Sequence, residues 1–106
     1  MTTPPLAAPA LDQHMQAAAQ WHQQGQIERA AEAYRAVLAQ QPRHTQALQM
    51  LGVAEMQLGH AELAVQVLRS LVHLTPHDAD TLCNLGSALE MQGALANLHV
   101  HLDADL

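Results

Sequence analysis

Three glycines, Gly25, Gly59 and Gly93, recur every 34 residues, and Pro42 and Pro76 repeat at the same interval. A fixed period of this length marks a stacked array of helix–turn–helix units. One such unit cannot bury its apolar face alone and must share it with a neighbour. The fold class is therefore an all-α solenoid. The period also limits function: an array offers a surface for binding, and its ligand is set by side chains the period leaves free.

In register, the chain divides into units 11–44, 45–78 and a partial third, 79–106. Each begins with about thirteen residues of helical pattern, followed by a glycine turn and a second helix. In the second unit Leu48, Leu51, Glu55 and Leu58 precede the turn at Gly59, and Leu63, Val67, Leu71 and Leu74 carry the next helix. Thr75-Pro76 stops it, because proline cannot donate its amide and disfavours helix at the residue before it. The first unit repeats this through Ala17, Trp21, Gly25, Ile27, Ala30, Tyr34, Val37 and Pro42, and the third begins alike with Leu82, Leu85, Gly86, Leu89 and Gly93. Ala18, Gly52 and Gly86 match one another, as do Ala30 and Ala64. Small residues at these places let the two helices of a hairpin approach closely, while the turn glycines suit a left-handed backbone.

These residues, above all Leu51-Gly52, Gly59, Ala64, Leu68, Leu71 and Pro76, resemble the tetratricopeptide repeat family over residues 11 to about 93. The resemblance implies a right-handed α-solenoid of about two and a half helix–turn–helix repeats. It also implies a concave groove lined by the first helix of each unit, which takes an extended peptide or a partner helix. His14 stands where the family prefers a large apolar residue and Glu55 where it often has tyrosine, so both are expected to weaken local packing. Carried over by position, the groove presents Met15, Ala19, His22 and Gln23, then Gln49, Val53, Met56 and Gln57, then Cys83, Asn84 and Ser87. Methionine adapts to varied apolar surfaces and glutamine can bond a peptide backbone. Chaperone-binding members of the family clamp a C-terminal carboxylate with groove cations. Here Arg29, Arg35, Arg43 and Arg69 all fall on second helices or the turn after them, which argues against such a clamp. Asn84 resembles the groove asparagine of repeats attached to O-linked N-acetylglucosamine transferases, although Gln16 and Met50 hold the matching places. That likeness is the basis of an alternative, the N-terminal substrate-recognition fragment of a larger glycosyl- or sulfo-transferase.

The third unit departs from the pattern after Gly93. Leu98 stands where a small residue is expected, and no proline stop follows. An array end without a polar cap predicts self-association. Within this tail, His99, His101, Asp103 and Asp105 would share one face of a strand and could hold a divalent metal. Leu95, Leu98, Leu102 and Leu106 lie at helical spacing and favour a helix, on which residues two apart diverge. No metal or other cofactor and no catalytic function is expected.

Composition narrows the partners. Ten carboxylates against four arginines, with no lysine, give a net charge of −6. Nucleic acid and anionic membrane both require clustered cations, so a neutral to basic protein or peptide fits better. Residues 1–10 hold three prolines and no charged side chain and are read as a disordered leader. A single cysteine, Cys83, leaves no internal disulfide and makes the cytoplasm the default compartment. Eight histidines stand against that acidic balance. Net charge should fall toward zero below about pH 6.5, lowering solubility and altering partner binding in mild acid. Curves of either quantity that stay flat from about pH 8 to about pH 5.5 would contradict this expectation.

Overall fold

The computed structural model of the chain describes the backbone of residues 8–104 and the side chains of residues 11–94. Five helices follow one another: α1 Ala8–Gln23, α2 Ile27–Gln40, α3 Thr45–Gln57, α4 Ala61–Leu74 and α5 Ala79–Ala104. Each packs on its successor, and α3 also touches α5, as stacked hairpins require. The result is an α-solenoid, with no strand among the described residues.

The two turns that keep the 34-residue beat are built identically. Gly25 and Gly59 have φ of 82° and 80°, in the left-handed region. At the first, the Gly25 amide donates to His22 O and the Gln26 amide to Trp21 O; at the second, Gly59 donates to Met56 O and His60 to Glu55 O. This paired closure satisfies the last carbonyls of a helix and reverses the chain. The helices before the prolines end as expected: Gln41 bonds back to Val37 O, and Thr75 to Leu71 O through both its amide and its hydroxyl. At the start of α3 the His44 side chain accepts the Ala47 amide on Nδ1 at 3.1 Å, a cap for an otherwise orphaned donor.

Gly93 does not turn. α5 runs through it to Ala104, so the short first helix and reversal expected of the third unit are absent. The physical reason lies downstream. A left-handed glycine is held only when the following helix packs back, and Leu98 is too large for the close contact that Ala64 makes in the second unit. The Ala- and Leu-rich stretch 94–98 favours continued helix instead. α1 likewise begins at Ala8 and takes in three residues assigned to the leader. Pro9 is tolerated there because first-turn amides have no partner within the helix. Residues 1–7 lie outside the described residues.

Two apolar clusters form the interior. One joins α1, α2 and α3 through Leu11, Met15, Ala18, Ala30, Ala31, Tyr34, Val37, Ala47, Leu51 and Ala54. The other joins α3, α4 and α5 through Leu48, Ala64, Val65, Leu68, Leu71 and Ala88. Leu38 and Val67 pack against both and make them continuous. Alanine dominates, so the helices lie close and fit depends on single methyl groups.

Candidate binding surface on the first helices

α1, α3 and α5 carry the eleven residues expected to line a groove. Ala19, His22, Gln49, Val53, Met56 and Asn84 are half-buried, and Gln23, Gln57, Cys83 and Ser87 are exposed. Met15 differs: it is only 8% exposed and belongs to the first core cluster. It lies on α1, and its long flexible side chain fills space in the cluster that joins α1, α2 and α3. With Asp12, Gln16, Ala19 and Gln46 it bounds a recess of about 300 Å³ between α1 and α3. Asp12, Gln16 and Gln46 also border this recess, although the expected lining drew only Asn84 from the register position Gln16 shares and nothing from that of Asp12 and Gln46.

His22 and Gln57 are spent on each other. His22 Nε2 lies 2.5 Å from Gln57 Oε1 and Nδ1 lies 3.3 Å from the Tyr34 hydroxyl. An amide oxygen can only accept, so Nε2 carries the proton and Nδ1 accepts from Tyr34. Tyr34 is fully buried, and burial pushes its hydroxyl above the ordinary tyrosine value, keeping it protonated as a donor. This chain ties α1 to α2 and to α3. Trp21 is half-buried and packs against the first core cluster, with the Arg29 guanidinium 4.4 Å from its ring centroid. That contact covers the ring's outer face with a cation.

Sequence reasoning treated Glu55 as a flaw in packing. The structure instead buries it to 1% exposure and gives it two partners. Arg35 of α2 donates to Oε1, and His60, in the turn before α4, donates from Nδ1 to Oε2 at 2.7 Å. Both partners are about half exposed. One carboxylate thus ties α2 to α3 and to the turn that begins α4. The signal was present, a glutamate at an apolar register position, but its main partner lies twenty residues upstream and no local pattern links them. His14, the other departure, is exposed.

The tail histidines do not lie on a strand: the backbone of residues 99–104 is helical, and the side chains of His99, His101 and Asp103, with the whole of Asp105, lie outside the described residues. Among the described residues no three His, Cys, Asp or Glu side chains gather as metal ligands. Cys83 is exposed and unbridged. No described helix is long and apolar enough to cross a membrane.

The model of the tetratricopeptide repeat matches residues 23–79, just over half the chain. Two of the solved structures that the chain resembles show the extent of the likeness. One is MamA 41-end from Desulfovibrio magneticus RS-1, with 26% identity, a TM-score of 0.75, and 81% of this chain and 49% of that one covered. The other is the MamA RS-1 ArsTM double mutant, with 24% identity, a TM-score of 0.77, and 86% and 51% covered. The chain spans about half the length of these structures. No curated protein matches.

Proposed function

Because this chain belongs to the tetratricopeptide repeat family, we propose that it is a non-catalytic protein-interaction module whose α1–α3–α5 surface holds a peptide or partner helix. The observation that carries this reading is the side-chain set on that surface. Half-buried Ala19, Val53 and Met56 lie among Gln23, Gln49, Cys83, Asn84 and Ser87, with no cation among them. Such a surface offers apolar contact at its floor and amide or hydroxyl partners for a peptide backbone. The His22–Gln57 link holds α1 and α3 in fixed relation, so the ligand need not order them.

The net charge of −6 favours a neutral to basic ligand. A fluorescent basic peptide with apolar residues should bind, and Val53→Asp together with Met56→Asp should weaken it at least about tenfold. Acidic C-terminal peptides should show no saturable binding in calorimetry, since the arginines lie on α2, α4 and the turn after α2. Saturable binding of such a peptide, or indifference of the basic one to both substitutions, contradicts the reading. We place the module in the cytoplasm. Any meeting of copies through the open end is expected to be weak, seen by light scattering only at high protein concentration and not as a dimer stable at micromolar protein. The transferase-front alternative rests on Asn84, half-buried on α5, and awaits the same peptide measurements.

A further inference from the structure

The last described layer holds a second surface, separate from the groove. On α3, Leu48, Leu51, Gly52 and Glu55 are all buried. Leu48 shares its cluster with Ala64, Leu68 and Leu71 of α4. Leu68 lies over Gly52 so closely that a Cβ there would stand 2.6 Å from Leu68 Cδ2. Thirty-four residues on, α5 carries Leu82, Leu85, Gly86 and Leu89. Here the face is open: Leu82 is 47% and Leu89 39% exposed, and nothing lies within 4 Å of a Cβ at Gly86. Leu82, Gly86 and Leu89 fall on one stripe of the helix, with Leu85 at its edge. Three of the four residues match α3. The fourth change, Glu55 to Leu89, replaces the one group that needs ionic partners with an apolar side chain.

We propose that this face docks an amphipathic helix of a partner protein, patterned like α4. It would set a long aliphatic side chain over Gly86, a small residue one turn before it, and basic residues on its flanks.

Two observations select that occupant. Leu85 and Ala88 already pack with the α3–α4 cluster, so an entering helix extends an existing core and does not found a new interface. Residues 78–94 hold Asp78, Asp80 and Glu90 and no cation, and Glu62 stands in the first turn of the adjacent α4. Basic flanks are therefore attracted, whereas a second copy brings like charge. The chain's own tail is mispatterned for the task. Set 34 residues back, Leu98 takes the place of Ala64 and Asp105 that of Leu71.

The test uses a labelled peptide carrying the α4 sequence AELAVQVLRSLVHL between Ala/Lys flanks, since a helix this short is marginal alone. It is titrated with the 106-residue chain and read by fluorescence anisotropy. Saturable micromolar binding is expected, absent for a scrambled peptide. Leu82→Asp with Leu89→Asp should weaken it at least about tenfold. Gly86→Leu should weaken it similarly by filling the slot. That variant stays folded, because its side chain enters open space and helix propensity improves. Absence of saturable binding, or binding that Gly86→Leu leaves unchanged, overturns the proposal. A dimer stable at micromolar protein and lost in the double aspartate variant also overturns it, by assigning the face to a second copy.

Discussion

Leu68→Ala should lower stability by about 2–5 kcal/mol, and a following Gly52→Ala should give part of it back. Leu68 is fully buried and stands over Gly52, where an added Cβ would meet Cδ2 at 2.6 Å and Cγ at 2.7 Å. In the native chain the alanine methyl forces Leu68 aside, an overpacking cost of about 1–3 kcal/mol, against a gain of roughly 1 kcal/mol in helix propensity. With Leu68 truncated, the same methyl enters the vacated space, and only the gain remains. The effect of Gly52→Ala thus changes sign between the two backgrounds. Urea unfolding of the four proteins measures the cycle. In thermal melts the Leu68→Ala loss should appear as a fall of about 10 °C or more. Strict additivity would mean that Leu68 does not cover Gly52, and the hairpin register would then be wrong.

A close helix approach at Gly52 was foreseeable, since the period aligns it with Ala18 and Gly86 and pairs Ala30 with Ala64 as matching small residues; that Leu68 is the side chain lying over it was not. The turns at Gly25 and Gly59 were foreseeable for the same reason. Gly93 shows where the period stops being informative. The same residue in the same register is helical, because the turn depends on whether the next segment can pack back, and residues 94–98 cannot repeat Ala64's contact. Side-chain destinations were harder still. The residues expected to line a groove lie on α1, α3 and α5, but Met15 went to the core and His22 and Gln57 bonded to each other. Such outcomes depend on distances between helices, which a period of small and large residues leaves open. Glu55 is the sharpest case. A charged residue at an apolar position carries no local hint of whether a partner waits across the interface.

Its pairing leads to an asymmetry. Arg35→Ala should destabilise by about 1–3 kcal/mol, whereas Glu55→Leu should be close to neutral. Removing Arg35 leaves a carboxylate at 1% exposure with His60 as its partner, and the cost is that of an under-satisfied buried charge. Removing the carboxylate leaves Arg35 and His60, each about half exposed, free to be solvated. Solvent already screens the Coulomb attraction at those exposed heads, so little is lost with it. Leucine also supplies the apolar volume that α5 carries at the matching Leu89. In the double variant Arg35→Ala/Glu55→Leu the buried charge is gone, and stability should return to near that of Glu55→Leu alone. Equal losses from the two single substitutions would show that the attraction itself, and not the desolvated carboxylate, dominates at this junction.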